Sequence, residues 1–317
     1  MKEKISIVVP CYNEEECVKK YFEAMQSVIN EMNYVDFEFI FIDDGSKDKT
    51  LELIKGLSEK LEMVKYISFS RNFGKEAAIY AGLRNATGDY VALMDVDLQD
   101  PPKLLIQMYN GITKEGFDCV GCRRTDRKGE PKIRSWFARK FYKLINKMSD
   151  AEIVDGARDY RLMTRKMADA ILSMAEVDRF SKGIFGWVGF KTKWLEYNNI
   201  DRVAGKTKWN FKKLTKYAVE GIEDFSTSPL KINLVISIFL MLCAFGLLVT
   251  DIILWCKSIT PILFLQIAPV ICFVGSLMML GIAVLSDYIA KIFRQVKNRP
   301  IYIVKDTNFK KDGEQNA

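Results

Sequence analysis

Histidine is absent from all 317 residues of this sequence. Its absence excludes the catalytic triads and dyads that use an imidazole as the general base, and it excludes every metal site with a histidine ligand. A metal ion would therefore be held mainly by oxygen atoms, which favours a hard ion such as Mg²⁺ or Mn²⁺.

Closely spaced cysteines are also scarce. Seven cysteines are spread along the chain, and the only close pair is Cys119 and Cys122 in "CVGC". A zinc site would need a second pair or histidines, so this pair is either redox-active or, as we expect, two free thiols packed as small hydrophobic side chains. The start "MKEKISIVVP" reaches an apolar strand too soon for a signal peptide.

Charge is missing from two long stretches of the C-terminal third, residues 232–250 and 258–286. At about 1.5 Å per helical residue, each is long enough to cross a hydrocarbon core of about 30 Å. We predict a two-helix transmembrane hairpin in a region at 229–292, with spans at about 232–256 and 262–287. Two buried core helices are the alternative.

Basic residues on both sides of these stretches predict the orientation of the hairpin. Lysine and arginine are frequent before residue 232 and after residue 290, whereas the connection offers Lys257 alone. By the positive-inside rule, a domain at 1–228, a tail at 293–317 and both termini face the cytosol, beneath a plasma membrane that the chain crosses twice. Since the basic residues flank the spans, we expect no nucleic-acid partner.

The first 110 residues alternate between short apolar runs and amphipathic segments. Runs at 5–10, 37–46, 64–70 and 88–97 predict strands, and segments at 14–32, 49–61 and 74–86 predict helices. This alternation predicts an α/β domain in which helices cover both faces of a mostly parallel sheet. Ligands of such sheets bind at the carboxyl ends of the strands, where this sequence places "PCYNEE", "DDGSKDKT", "SRNFGKE" and "DVDLQDPP".

Two further segments, 133–148 and 208–220, are basic and aromatic. Each places apolar side chains along one helical face and lysines and arginines over much of the rest. Such helices are suited to lie in the interface of an anionic membrane. The alternative is that they pack on the α/β domain with a solvated basic face.

The acids after the fourth apolar run are candidate metal ligands. In "VALMDVDLQDPP" (91–102), Asp95 and Asp97 project to one face of an extended strand, and Gln99 follows if the extension continues. Two carboxylates and an amide oxygen can hold a divalent cation that keeps positions free for phosphate oxygens. A solvated acidic turn is the alternative, but mutual repulsion of acids behind a buried strand requires an offsetting charge.

The other strand ends offer groups for a nucleoside diphosphate. Either Asp43 or Asp44 can accept hydrogen bonds from a nucleoside, and Tyr12 can stack on a base or pack on the next helix. Arg71 and Lys75 supply cations where a diphosphate would lie.

In this order and spacing, "VVPCYNEEE", "FIDDGSKDKT", "SRNFGKEAAIYAGL" and "GDYVALMDVDLQDPP" resemble the motifs of family 2 glycosyltransferases with a GT-A (Rossmann-like) fold. The resemblance is closest to the polyprenyl-phosphate glycosyltransferases, which include dolichyl-phosphate mannose synthases and GtrB-type bactoprenol glucosyltransferases. It continues through "DYRLM", "RFSKGIFGWVGF", "DRVAGKTKW" and "SDYIAKIFRQVKNRPIYIV", and so covers roughly residues 4–304.

The resemblance implies a nucleotide-binding set, a metal set and an acceptor set. The nucleotide-binding residues are Pro10, Tyr12, Asn13, Glu14, Ile42, Asp44, Lys75, Asp95 and Val96. The residues that meet the metal ion and the diphosphate are Asp95, Asp97 and Gln99. The lipid phosphate would meet Arg134 and either Arg123 or Arg124.

The resemblance also implies a catalytic set. Asp97 belongs to it, Asp159 stands where the family has a proposed base or acceptor-site acid, and Arg202 and Lys208 match a mobile loop that closes on the diphosphate. The sequence departs from the family at "GCRR", where many members have a small residue before one arginine, and this leaves the choice between Arg123 and Arg124 open. It also has "SDY" where many members have "GEY".

The reaction implied is an inverting transfer of glucose, or another hexose or N-acetylhexosamine, from a UDP-sugar to undecaprenyl phosphate. Its product is a lipid-linked sugar for the modification of cell-envelope glycans, and the resemblance also suggests a homotetramer. Two alternatives stay open at this point. One is a family 2 enzyme that extends a polysaccharide, although "RFSKGIFGW" lacks the glutamine of the expected "QxxRW" pattern. The other is a non-catalytic membrane protein that binds nucleotide sugars and regulates a partner.

Overall fold

The computed structural model describes residues 2–124, 154, 156–174, 176–197 and 263–309, with a few separate positions between 239 and 253. The first predicted span and both basic aromatic segments lie almost wholly outside the described residues, as do Arg134, Arg202 and Lys208. The domain boundaries that depend on them stay predictions.

Strands and helices alternate through the first half of the chain, as the sequence pattern predicts. The strands are β1 (Lys4–Cys11), β2 (Asp36–Asp43), β3 (Val64–Phe69), β4 (Tyr90–Leu93), β5 (Cys119–Arg124), β6 (Ala157–Thr164), β7 (Thr192–Tyr197) and β8 (Val304–Thr307). The helices are α1 (Val18–Glu31), α2 (Thr50–Ser58), α3 (Lys75–Asn85), α4 (Leu104–Thr113), α5 (Arg165–Ser173), α6 (Ser181–Trp187) and α7 (Leu263–Val296).

All eight strands form one sheet in the order β7-β5-β6-β4-β1-β2-β3-β8. The predicted parallel sheet is confirmed for β4, β1, β2 and β3, which pair in parallel. The flanks are mixed, because β6 is antiparallel to both β4 and β5, and β8 is antiparallel to β3. The carboxyl ends of the four central strands therefore meet at one edge, where a ligand site of this architecture is expected.

Both faces of the sheet are buried, which explains why its central strands are almost continuously apolar. Successive side chains of a strand point to opposite faces. Accordingly, Ile7 and Val9 of β1 pack in the cluster with α1, α2 and α4, whereas Val8 between them packs in the cluster with α3, α5 and α6. Cys119 and Cys122 lie within β5 as buried free thiols, as the sequence predicts.

The sequence predicts a tail from residue 293, but the structure shows that part of this segment belongs to the folded domain. Helix α7 continues to Val296, and the chain then returns as β8 to the outer edge of β3. The Asn308 side chain donates to the carbonyl of Val64 (3.1 Å) and accepts from the amide of Tyr66 (2.7 Å). Residues that follow α7 in the sequence thus add an edge strand to the sheet that begins at the N-terminus.

Helix α7 is, within the described part of the chain, the one helix that is long and apolar enough to cross a membrane, over Phe273–Val296. Its large apolar side chains are exposed, among them Phe273, Met279 and Ile282. It extends nine residues past the predicted end of the second span. At its end, Arg294 forms an ion pair with Asp178 (2.7 Å) beside α6.

Two helical glycines differ in the space around them, and this difference yields a stability prediction. A Cβ on Gly82 of α3 would lie 2.1 Å from Cγ1 of Val8 in β1, whereas a Cβ on Gly56 of α2 would meet nothing within 4 Å. We expect Gly82→Ala to destabilise the domain by about 1–3 kcal/mol through overpacking. Gly56→Ala should stabilise it by about 0.5–1 kcal/mol, because alanine restricts the unfolded chain more than glycine does.

The measurement is the thermal midpoint of the purified full chain in detergent. Gly82→Ala should lower it and Gly56→Ala should raise it slightly. A shift in the same direction for both substitutions would contradict the close packing of α3 on β1.

Candidate active site

Hydrogen bonds between loops lock the carboxyl ends of β1 and β2 together. The Asn13 amide donates to Ser46 Oγ (2.9 Å), and Asn13 Oδ1 accepts from the Lys47 amide (2.8 Å). The next amide, that of Glu14, donates to Thr50 Oγ1 (2.8 Å). Asn13 has a φ of 52°, in the left-handed region that asparagine tolerates better than most residues. Asn13 and the Glu14 backbone, predicted as nucleotide contacts, therefore shape the loops here.

Asp43 and Asp44, at the end of β2, are almost fully buried and accept hydrogen bonds from the chain itself. Asp43 accepts from Ser68 Oγ (2.8 Å) and from the Ser46 amide (3.1 Å). Asp44 accepts from Asn72 Nδ2 (2.8 Å) and from the amides of Phe73 (2.6 Å) and Gly74 (3.0 Å). Burial raises the pKa of Asp44, although the two amides oppose this shift. Asp44, the predicted nucleoside ligand, fixes the loop between β3 and α3 in this structure.

Lys75, the first residue of α3, lies between two carboxylates. Its Nζ is 2.7 Å from one oxygen of Asp95 and 2.6 Å from Oδ2 of Asp159. Burial disfavours the charge on the ammonium, but the two acids outweigh this effect and raise the pKa of Lys75. Burial likewise opposes ionisation of Asp159, yet Lys75 and then Lys182 hold the pKa of that carboxyl well below its usual range. Asp95, a predicted metal ligand, and Asp159, a predicted base or acceptor-site acid, thus share the Lys75 ammonium.

The predicted metal ligands lie in a loop and not on an extended strand. Strand β4 ends at Leu93, so the argument that Asp95 and Asp97 share one face of a strand was wrong. The chain turns at Asp97, whose Oδ1 accepts from the Gln99 amide (3.2 Å), and Leu98 has a φ of 55°. Because the chain turns here, the backbone is not extended as far as Gln99, and the expectation that Gln99 follows Asp95 and Asp97 on one strand face does not hold.

The Gln99 side chain meets two arginines. Its Oε1 accepts from Nη2 of Arg124 and from Nη2 of Arg158, both at 3.3 Å. No three carboxylate or thiol groups form a metal cluster among the residues that the structure describes. Asp95 and Asp97 remain hard oxygen donors two residues apart, and a cation, Lys75, already lies against Asp95. This donor set fits a hard divalent ion that takes its other ligands from a diphosphate.

Asp100, Arg158 and Tyr197 form a buried polar group to which sequence reasoning assigned no role. Asp100 is 4% exposed, and its Oδ1 accepts from Arg158 Nε (3.0 Å) and from the Tyr197 hydroxyl. Burial disfavours the charge on Arg158, but Asp100 outweighs it and raises the pKa of this guanidinium. The sequence signals of this group were the third acid of "DVDLQD" and the arginine before Asp159. Nothing in the sequence singled out Tyr197.

The two arginines of "GCRR" face different partners, because successive residues of β5 point to opposite sides. Arg123 pairs with Glu196 of the neighbouring β7 through its Nε (3.0 Å) and Nη2. Arg124 reaches Gln99 in the loop that carries Asp95 and Asp97. Its Nε atom is buried and has no hydrogen-bond partner among the residues that the structure describes. Of the two, Arg124 is the one beside the acids of the candidate site.

The segment "RFSKGIFGW" contacts α3 and β6 close to Lys75 and Asp159. Glu76, next to Lys75 in α3, accepts hydrogen bonds from the amide (3.0 Å) and the hydroxyl of Ser181 at the start of α6. The Arg161 guanidinium, two residues after Asp159, lies 3.7 Å from the ring centroid of Phe185. Helix α6 is thus fixed both to α3 and to β6.

Comparison with known proteins identifies similar chains. Residues 6–172 match the family model "Glycosyl transferase family 2". The chain is 39% identical over 305 residues to CsbB of Bacillus subtilis (strain 168), which is named as a glycosyltransferase; the match covers 96% of this chain and 92% of that protein. It is also 39% identical to the prophage bactoprenol glucosyl transferase homolog of Escherichia coli (strain K12), over 95% of this chain and 98% of that protein.

A third relative is the SfII prophage-derived bactoprenol glucosyl transferase of Shigella flexneri. It is 38% identical over 308 residues, which cover 96% of this chain and 98% of that protein. All three matches are therefore too long to be confined to the α/β domain, and they include the C-terminal helix.

The two ion pairs of this region should differ in their importance for stability. Asp100 is 3% exposed at its side chain, so Arg158→Met would leave a buried, unpaired carboxylate and should cost on the order of 3 kcal/mol. Arg123 and Glu196 are 40% and 50% exposed, so Arg123→Met should change stability by less than about 1 kcal/mol.

Thermal unfolding of the two purified variants, compared with the unmodified chain, measures this difference. Equal midpoints for the two variants would show that the buried Asp100 carboxylate does not need the Arg158 guanidinium to offset its charge.

Proposed function

Because this chain belongs to glycosyl transferase family 2 and is a glycosyltransferase, we propose that it transfers glucose, or a closely related hexose, from a UDP-sugar to a polyprenyl phosphate. The observation that carries the proposal is likeness along nearly the whole chain. Proteins named bactoprenol glucosyl transferase match over at least 95% of these residues, beyond the half that the family model covers.

The donor side of the proposed site is the loop after β4. Asp95 and Asp97 would hold a Mg²⁺ or Mn²⁺ ion, which when bound would offset the negative charge that develops on the leaving diphosphate. Gln99 would join them by turning its amide oxygen away from Arg124 and Arg158, or would stay as the group that orients those arginines. Pro10 of β1, Ile42 of β2, and Tyr12 and Val96 in the segments after β1 and β4 are the proposed nucleoside contacts.

The acceptor side is the end of β5 and the start of β6, which pair in antiparallel. Arg124 is beside the acids through Gln99 and suits the phosphate of the lipid acceptor, because a guanidinium can bind two phosphate oxygens at once. Arg123 is already paired with Glu196 at the sheet edge. The departure "GCRR" is resolved in this proposal in favour of Arg124, with Arg134 as its proposed second arginine.

Asp159 is better suited to orient groups than to remove a proton. The neighbouring ammonium of Lys75 keeps its pKa low, and a carboxylate of low pKa is a weak base. A phosphate monoester has a second pKa of about 6, so at neutral pH much of the acceptor is already ionised. A strong general base is therefore not required.

In the proposed reaction, an oxygen of the lipid phosphate attacks the anomeric carbon of the sugar. The bond from that carbon to the diphosphate breaks, and its electron pair leaves with the nucleoside diphosphate. Attack opposite the leaving group inverts the anomeric centre. Arg202 and Lys208 are the proposed residues that close on the diphosphate and exclude water.

A membrane-bound acceptor explains the rest of the chain. The apolar face of α7 supports its insertion in a bilayer, where the polyprenyl tail would lie. We propose that the chain crosses the plasma membrane twice, with the α/β domain on the cytosolic side, and that it assembles as a homo-oligomer.

Sugar transfer by the purified full chain tests the reaction. The protein in detergent receives undecaprenyl phosphate, Mg²⁺ or Mn²⁺, and in turn each of a panel of UDP- and GDP-sugars. We expect a lipid-linked sugar from one donor, UDP-glucose first, and a loss of at least about 100-fold in Asp97→Asn. Lys193→Gln, at a surface ion pair with Glu115, is a control that should keep full activity.

Transfer from none of the donors to the lipid phosphate, by protein that still binds UDP, would contradict the proposed acceptor. Equal activity of Asp97→Asn and the unmodified chain would contradict the proposed metal site.

The choice between the two arginines has its own test. Arg124→Gln should raise the KM for the lipid phosphate by about tenfold or more, since a charge-assisted hydrogen bond contributes about 1.5–3 kcal/mol. Arg123→Gln should change that KM by less than about threefold. Initial rates at varied lipid phosphate and saturating donor measure both constants. The reverse order of effects would assign the acceptor phosphate to Arg123.

A further inference from the structure

One ammonium group connects the donor and acceptor acids of the site. Nζ of Lys75 lies 2.7–2.9 Å from the two oxygens of Asp95 and 2.6 Å from Oδ2 of Asp159. Two carboxylates that both contact one nitrogen atom are close enough to repel each other strongly without it. Lys75 therefore offsets the repulsion between the carboxyl groups of Asp95 and Asp159.

The Lys75 ammonium contacts the same Asp95 carboxylate that a metal ion would bind. A Mg²⁺ or Mn²⁺ ion on the Asp95 carboxylate and the Lys75 ammonium on the same group would repel each other, so the ion competes with this contact. Lys75 can leave, since it extends from the first residue of α3 on a flexible stem and its side chain is 42% exposed.

We propose that Lys75 is an internal counter-cation of the donor site. It holds Asp95 and Asp159 together while no divalent ion is bound, and it releases Asp95 when the ion arrives with a nucleoside diphosphate. The phosphate oxygens then offer the ammonium a new anionic partner. This inference rests on the proposed function, because it takes Asp95 and Asp97 as the metal ligands.

A consequence is that metal and nucleotide strengthen each other's binding. The metal ion alone has to displace Lys75 from Asp95 without offering the ammonium a new anion in its place. It should therefore bind weakly to the nucleotide-free protein. With the diphosphate present, the displaced ammonium is compensated. Because such coupling is reciprocal, the metal ion should strengthen UDP binding by the same factor by which UDP strengthens metal binding.

Mn²⁺ binding to the full chain in detergent measures this without any turnover. The electron paramagnetic resonance signal of unbound Mn²⁺ is followed in titrations with and without UDP. Without UDP, Lys75→Gln should bind Mn²⁺ about tenfold more tightly than the unmodified chain, because a competing positive charge is gone. UDP should then increase Mn²⁺ affinity by a smaller factor in Lys75→Gln than in the unmodified chain.

Two matched variants distinguish the proposed role of Lys75 from a general effect of removing one positive charge on Mn²⁺ affinity. Lys75→Arg keeps the cation and should keep weak Mn²⁺ binding in the absence of UDP. Lys193→Gln removes one positive charge from an ion pair of similar length with Glu115 and should leave Mn²⁺ affinity unchanged. The inference is overturned if Lys75→Gln binds Mn²⁺ no more tightly than the unmodified chain, or if Lys193→Gln gains as much.

A melting experiment covers the case in which the substitution disturbs folding. Without metal, Lys75→Gln should melt at a lower temperature than the unmodified chain, because Asp95 and Asp159 repel, and Mn²⁺ should raise its midpoint by more. A midpoint that Mn²⁺ raises equally in both proteins would also overturn the inference.

Asp97→Asn distinguishes a failure here from a failure of the proposed function. If UDP promotes Mn²⁺ binding in the unmodified chain but not in Asp97→Asn, the donor site is supported, and an unchanged Lys75→Gln overturns the role of Lys75 alone. If UDP promotes no Mn²⁺ binding in the unmodified chain, the donor site itself fails and this inference fails with it.

Discussion

Repulsion between carboxylates is the constraint on which the organisation of this site depends. The parallel pairing of β4, β1, β2 and β3 brings several aspartates to one edge of the sheet. Each is compensated differently: Asp44 by backbone amides, Asp100 by the Arg158 guanidinium, and Asp95 and Asp159 by the shared ammonium of Lys75. The acids that accept from amides or pair with arginine are buried, whereas Asp95 is the one that, in our proposal, exchanges the Lys75 ammonium for a metal ion.

The long C-terminal helix is connected to this site through the sheet itself. After α7, Tyr302 stacks on Phe69 of β3 at 4.9 Å between ring centroids, and β8 pairs with that strand. The loop that follows β3 contains the amides that bind Asp44 and leads into Lys75. A helix with an exposed apolar surface is thus followed by a strand that pairs with β3, so the α/β domain is fixed close to the end of that helix.

Most of the fold could be predicted from the sequence. Short, almost continuously apolar runs between amphipathic helices predict a parallel sheet with two buried faces, and the four predicted strands and three predicted helices are all present. The direction of the flanking strands could not be predicted in this way, because the pairing of β6 and β8 is set by contacts between residues far apart in the chain. For the same reason, a segment expected to be a tail contributes an edge strand.

For the site, the sequence by itself determined which residue types are available: with no histidine, the chemistry rests on carboxylates, amides and cations at strand ends. The motifs also predicted Asp95, Asp97 and Asp159 as site residues. Only the tertiary structure decided which charges meet. Lys75 and Asp159 are 84 residues apart yet share a contact, and neighbouring Arg123 and Arg124 face different partners. Such pairings depend on where the chain turns and which way a strand residue points, and neither local spacing nor composition contains that information.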